Sequence, residues 1–300
     1  IIHFLVDLKK RSFFLKNFKI LFSLLAVSST LFFSLTSCSQ KEVKPEVKPA
    51  LALPTTVEDA VKSSFRTPEN TKRDQYRHPV ETLNFFGIKP EMTVVEISPG
   101  AGWYMEILAP LLSSRGQYIG AGFPRDTTVD FQKELNSKID AWLAKYPEVG
   151  AKAKIVSFSP TTEIAPAESV DMVLTFRNIH NWMPKEKEAF KTFFKALKPG
   201  GILGVVEHRA DPKAKFDPKA KNGYVSEKHV IKIAKSVGFK LEEKSEINAN
   251  PKDTKNYPEG VWTLPPTLRL KDVDKEKYLA IGESDRMTLR FVKPVKKAKK

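Results

Sequence analysis

From residue 55 onward, short apolar runs of strand length alternate with longer stretches of helical period. Thr93-Val94-Val95-Glu96-Ile97 is β-branched, bounded by Pro90 before and Pro99-Gly100 after, and reads as a buried strand. A helical pattern over 103–112 follows, then a second strand over 117–120. Residues 129–145 place Phe131, Leu135, Ile139 and Leu143 at spacings of four, the apolar stripe of an amphipathic helix. Strands are predicted at 155–158 and 170–176, and a helix over 185–197 that Lys198-Pro199-Gly200-Gly201 stops before a fifth strand at 202–207. A helix over 226–237 ends at Gly238, and 240–246 and 287–292 read as two last strands that pair. Strands alternating with helices imply an α/β fold, with a mostly parallel sheet of seven strands covered by helices on both faces. Residues 248–270, rich in Pro and Asn, read as a long loop over one edge.

The front of the chain has a different pattern. Lys9, Lys10, Arg11, Lys16 and Lys19 precede an uncharged run over 20–37, the order of a secretory signal. That run is at the lower edge of the roughly 17–25 residues that span a bilayer. It ends Leu35-Thr36-Ser37-Cys38, which resembles the bacterial lipobox. The resemblance implies cleavage before Cys38 and its acylation, and hence an exported lipoprotein of the cell envelope, anchored to the membrane on the periplasmic side. The tandem Glu42-Val43-Lys44-Pro45 and Glu46-Val47-Lys48-Pro49 has no apolar period and predicts an extended spacer. The expected organisation is therefore a signal segment over 1–37, a lipid-anchored linker over 38–54, one domain over 55–294 and a basic tail over 295–300.

This organisation changes the meaning of the formal charge of +15. The signal segment and the terminal Lys296, Lys297, Lys299 and Lys300 hold about half of the surplus. With no reader motif, nucleic acid is not an expected partner. The single cysteine, Cys38, excludes an intrachain disulfide. None of the five histidines stands at the i, i+4 spacing of metal ligands, so no metal is expected.

The first strand runs into Glu96-Ile97-Ser98-Pro99-Gly100-Ala101-Gly102-Trp103-Tyr104. Two glycines at a strand-to-helix turn let main chain approach a ligand, since glycine tolerates positive φ and has no Cβ. The carboxyl ends of such strands are where open α/β sheets bind ligands. The dinucleotide fingerprint is not matched, because position 105 is Met, and no Gly-Lys-Ser/Thr makes a P-loop. Glu96-x-x-x-Gly100-x-Gly102 resembles motif I of the class I S-adenosylmethionine-dependent methyltransferases. Asp171-Met172-Val173-Leu174 resembles that family's fourth strand, and Ala196-Leu197-Lys198-Pro199-Gly200-Gly201-Ile202-Leu203 its turn into the fifth. The stretches Arg73-Asp74, Tyr76-Arg77-His78-Pro79, Phe85-Phe86-Gly87 and 245–251 resemble a group of bacterial exported proteins labelled predicted methyltransferases. The resemblance implies a Rossmann-like class I methyltransferase fold and S-adenosylmethionine as cofactor, held by Glu96, Ser98, Gly100, Ala101, Gly102, Trp103, Phe123 and Asn178. One departure stands out: the second strand ends Gly120-Ala121-Gly122-Phe123 with no acid for the ribose hydroxyls, and Asp126 is the nearest.

In this fold the methyl group is presented near the end of the fourth strand, which continues Arg177-Asn178-Ile179-His180-Asn181-Trp182. Arg177 can hold an anionic substrate group. His180 reads as a general base, or as a hydrogen-bond partner of its own loop. Trp182 reads as a substrate or adenine contact, or as core. His208 sits on the same rim in Glu207-His208-Arg209, as a substrate contact or as solvated strand end. Arg73, Asp74, Tyr76, Arg77 and His78 read as an exposed helix or as a lid, with Tyr76 and His78 then near the substrate. Two functions compete: methyl transfer to a small-molecule or envelope acceptor, and a non-catalytic ligand-binding module of the same fold.

Overall fold

The computed structural model describes residues 51–295. The expected signal segment, Cys38, most of the linker and the tail from 296 lie outside the described residues. Four short helices come first: α1 (Val57–Lys62), α2 (Pro68–Thr71), α3 (Asp74–Arg77) and α4 (Pro79–Phe86). Then follow β1 (Thr93–Ile97), α5 (Met105–Leu112), β2 (Gln117–Gly122), α6 (Asp130–Lys145), α7 (Pro147–Gly150) and β3 (Lys154–Ser157). The second half holds β4 (Val170–Phe176), α8 (Glu186–Ala196), β5 (Leu197–His208), α9 (Glu227–Val237), β6 (Lys240–Ser245), α10 (Lys275–Ile281) and β7 (Arg286–Val292). Single 3-10 turns lie at Ile179–Asn181 and Gly260–Thr263. Among the described residues no helix is long and apolar enough to cross a membrane.

The strands form one sheet in the order β3-β2-β1-β4-β5-β7-β6. β7 runs antiparallel to both its neighbours and every other pairing is parallel. The expected α/β sheet of seven strands is thus formed, and its last two strands pair. Alternation along β1 sorts the core. Val95 and Ile97 join one apolar layer with Phe190 and Phe193 of α8 and Val230 and Ala234 of α9. Val94 joins the opposite layer with Leu83 and Phe86 of α4 and Ile107, Leu108 and Leu111 of α5.

Several boundaries differ from the pattern. α5 starts at Met105, not 103, because Gly100 and Gly102 hold φ of +61° and +90° and keep the preceding turn out of the helix. The buried face of α6 is Asn136, Ile139 and Trp142, while Phe131 is 57 % exposed. A strict spacing of four overshoots the 3.6-residue turn by about 40° per step, so the predicted stripe spirals off the core. Lys198 to Gly201, expected as a turn, belongs to β5, whose Leu197 already pairs with Val170; a register shift between Val170 and Met172 absorbs the extra residues. The segment expected as an exposed helix around Arg73–His78 breaks at His78, a left-handed residue (φ 40°), and Arg77 is buried.

Candidate active site

β1 pairs with β2 on one side and β4 on the other, so the chain leaves these two strands in opposite directions and a crevice opens beyond their carboxyl ends. Asn178, after β4, ties the two loops together: its Nδ2 donates to the Ile97 carbonyl at 2.9 Å and the Ser98 carbonyl at 3.5 Å. A cavity of about 210 Å³ lies here. Its wall includes Glu96, Ser98, Pro99, Gly100, Ala101, Trp103 and Tyr104 from the first loop, Phe176, Arg177 and Asn178 from the second, and Asn70, Arg73 and Arg77 from the helices before β1.

The glycine turn explains itself residue by residue. Ser98 donates its N–H to the Ala121 carbonyl at 2.7 Å, which fixes the end of β1 against β2. A Cβ on Gly100 would meet no atom within 4 Å, so this position needs glycine for its backbone angle and for the bare surface it gives the cavity. Gly102 is not in the wall, and a Cβ there would approach the Met105 methyl at 2.9 Å.

Glu96 is 2 % exposed, and the Tyr118 hydroxyl donates to its Oε2 at 2.8 Å. Tyr118 stands two residues back along β2, on the diagonal, and Gly120, opposite Glu96, leaves room for its ring: a Cβ there would lie 3.1 Å from the Tyr118 hydroxyl. Burial raises the Glu96 carboxyl to about 7, against the opposing pull of the Tyr118 hydrogen bond and the Arg177 charge. Near neutral pH this carboxyl is poised between its two forms.

Trp103 donates from Nε1 to the Asn70 carbonyl at 2.9 Å, and the guanidinium carbons of Arg66 and Arg77 lie 4.9 and 4.6 Å from its ring centroid. Tyr104 stacks on Phe176 at 3.6 Å and 12°. The α2–α3 segment is therefore clamped onto the glycine turn by cation–π contacts, and this brings Arg73 and Arg77 into the wall. Behind them, Glu283 takes Arg73 Nε at 2.7 Å, Arg77 Nε at 3.2 Å and Arg286 Nη1 at 3.2 Å. Burial works against the Glu283 anion, yet Arg77, Arg286 and Arg73 hold its carboxyl at about 2. Burial, and then the nearby Arg177, lowers Arg77 well below the ordinary guanidinium value, and burial lowers Arg177 to about 10. A guanidinium keeps its proton in proteins, so both arginines stay charged in a buried setting that disfavours the charge.

Of the residues expected at the cofactor, Glu96, Ser98, Gly100, Ala101, Trp103 and Asn178 meet in one wall. Phe123, the residue after β2, does not; it packs edge-on against Phe131 at 5.6 Å. Asp126 is exposed and outside the wall. His180 is also outside it: its Nδ1 lies 3.1 Å from Glu207 Oε1, and its ring faces His208 and Trp262. Trp182 packs edge-on against Phe158 and Phe193 in the core, not against a ligand site. His208 is bound through Nδ1 to Ser284 Oγ at 2.6 Å, and burial, with His180 and Arg177 nearby, lowers it well below the usual histidine value. Tyr76 covers Gly282, and His78 joins α3 to α4 with Nδ1 buried and unpartnered.

His180, Glu207 and His208 do bring ligand atoms within 4.8 Å of one another, a grouping that sequence spacing hides. Glu207 already accepts from the N–H groups of Ile179 and His208, and Arg177, Arg286 and Arg77 lie near enough to depress His208. That field opposes a cation, and the cluster serves as a hydrogen-bonded brace under the β4 loop.

The chain matches no protein-family model and no curated protein sequence. In structure it is similar to the cyclase SpnF, with a TM-score of 0.54 and 15 % identity over 78 % of this chain and 86 % of that one. It is also similar to a protein assigned as a sarcosine dimethylglycine methyltransferase from Galdieria sulphuraria, with a TM-score of 0.52 and 11 % identity over 80 % and 94 % of the two chains. These likenesses, with the strand order and the antiparallel β7, give the chain the class I methyltransferase fold.

Proposed function

We propose that the protein is an S-adenosylmethionine-dependent methyltransferase acting on a small-molecule or envelope acceptor. The observation that carries this reading is the bare Gly100 turn opening onto a cavity beside the buried Glu96. Glu96 and the carbonyls of the turn suit the ammonium and sulfonium charges of the methionine part. The cavity is below the roughly 300–1,000 Å³ of sites that enclose a whole drug-sized ligand, so in this reading the nucleoside extends outward past the exposed Ala101. The sulfonium leaving group is already activated, so alignment and exclusion of water supply the rate. His180, turned toward Glu207, steadies the loop in this reading and needs no role as base. Calorimetry tests it: S-adenosylmethionine and S-adenosylhomocysteine should bind the purified chain, and Gly100→Val should abolish both. A folded protein that binds neither rejects the assignment.

One observation favours a second reading, a ligand-binding protein without methyl transfer. β2 ends with no carboxylate at the crevice, where the family places its ribose contact. A fold does not fix its chemistry, and one structural neighbour is named as a cyclase. Turnover with labelled S-adenosylmethionine separates the two. We further propose, on the sequence grounds above, attachment to the envelope membrane through Cys38. Labelled palmitate should enter the native chain and not Cys38→Ser.

A further inference from the structure

The cavity holds more positive charge than its surroundings or the proposed cofactor can balance. Arg73, Arg77 and Arg177 line it, and Glu96, a carboxyl at about 7, is the acid in the wall. Glu283 sits behind and is shared among Arg73, Arg77 and the fully buried Arg286, so one carboxylate answers three guanidinium groups. Two buried nitrogens there have no hydrogen-bond partner, Arg73 Nη2 and Arg77 Nη1. Arg77 is itself only 3 % exposed. Arg177 stands in a left-handed conformation (φ 61°) at the tip of β4, and its guanidinium forms no hydrogen bond or ion pair among the described residues.

A buried donor without a partner is costly, more so when charged, and a crowded set of cations repels itself. Such an arrangement persists where a ligand completes it. S-adenosylmethionine cannot complete it alone. Its carboxylate can meet one guanidinium, but its ammonium and sulfonium bring in more positive charge than the carboxylate offsets.

We propose that the second ligand is an oxyanion: the methyl acceptor carries a carboxylate or phosphate group that Arg177 binds, with Arg73 and Arg77 supplying the field around it. The word acceptor rests on the methyl-transfer reading; the anion site does not.

The test uses the purified full chain, at fixed ionic strength. It is first saturated with S-adenosylhomocysteine and then titrated with inorganic phosphate and, separately, with acetate, by calorimetry. At least one should bind in the millimolar range to the loaded protein. Arg177→Gln should weaken that binding by about tenfold or more, and Arg177→Lys by no more than about threefold. Arg73→Gln, altering a partly exposed side chain, replaces Arg177→Gln if that variant does not fold, with the same expected loss. Absence of anion binding to the loaded protein overturns the proposal. So does displacement of the anion by S-adenosylhomocysteine, which would give the arginines to the cofactor's own carboxylate. If S-adenosylhomocysteine fails to bind while phosphate or acetate binds through Arg177, the anion site stands and methyl transfer falls.

Discussion

On the β1 side, the cavity is bounded by main chain at Ser98, Pro99 and Gly100 and by one buried acid, Glu96, whose partner is a neutral hydroxyl. The helices before β1 and the β4 loop bring Arg73, Arg77 and Arg177 to the same cavity, with Glu283 and Arg286 behind. The first wall is shaped by backbone angles and carries about half a negative charge near pH 7, on Glu96. The second is shaped by charge, and its geometry depends on one carboxylate. A wall of main chain tolerates the loss of a side chain; a wall of like charges does not tolerate the loss of its counter-ion. The two should therefore fail in different ways when altered.

The largest expected effect is on the charged wall. Glu283→Gln leaves Arg73, Arg77 and Arg286 without their shared anion, and breaking a buried ion network from one side costs about 3–5 kcal/mol. Denaturant unfolding should show that loss, while Glu96→Gln at pH 7 should stabilise rather than destabilise, because a carboxyl raised by burial from 4.5 to about 7 disfavours folding at that pH and the neutral amide removes the cost. Acid separates them further. Glu283 is held at about 2, below its ordinary 4.5, so its contribution is full above pH 4.5 and is lost as pH falls toward 2. Glu283→Gln should remove that part of the acid sensitivity. Equal losses from both substitutions would erase the contrast between the walls.

Within the backbone wall, the two glycines should part company. Forcing a side chain into the left-handed region costs about 1–2 kcal/mol, and both Gly100 and Gly102 have φ there. Only Gly100 faces the cavity. Gly100→Val should cost this stability and also abolish S-adenosylmethionine binding; Gly102→Val should destabilise while binding persists within about tenfold. Thermal unfolding and calorimetry on the same samples separate the two effects.

The same contrast governs what could be read along the chain. Glu96, Ser98, Gly100 and Ala101 are neighbours in sequence, and their turn chemistry is local, so the main-chain wall was legible. The seven strands were legible for the same reason, since strand and helix periods are local properties. The arginine wall joins Arg73 and Arg77 to Glu283 across more than two hundred residues, and no local period says that they meet. Their spacing of four placed both arginines on one helical face, but charged helical faces are commonly solvated, and burial of Arg77 follows only once Trp103 packs under it. His180 and Trp182 each carried two readings, one chemical and one structural. Their residue types suggested chemistry, while the 3-10 turn at Ile179–Asn181 rotates one toward Glu207 and the other into the core.

A smaller effect tests the acid of the backbone wall. If Glu96 in its ionised form meets the cofactor's ammonium, S-adenosylmethionine affinity should rise with pH as the carboxyl ionises around 7. The gain should be about fivefold between pH 6 and pH 7, a range over which the ligand's own amine, with an ordinary value of about 7.7–8.0, keeps most of its charge. Glu96→Gln should bind more weakly and with a flat profile over that range. A flat profile in the native protein would remove Glu96 from the cofactor contact.

The smallest expected effect comes from the partner of that acid. Tyr118→Phe deletes one hydroxyl at 2.8 Å from Glu96 and changes little else in the apolar layer. A hydrogen bond of this kind contributes about 0.5–1.5 kcal/mol. The hydroxyl is one of the two influences holding the carboxyl down against burial, the other being Arg177. Its removal should raise the carboxyl above 7, and the pH at which S-adenosylmethionine affinity is half-maximal should move up with it. Arg177→Gln should move it the same way, since that charge acts on the same carboxyl. If Tyr118→Phe shifts the profile and Arg177→Gln does not, the two walls are electrostatically separate, and the field of the arginines is spent on a ligand group away from Glu96.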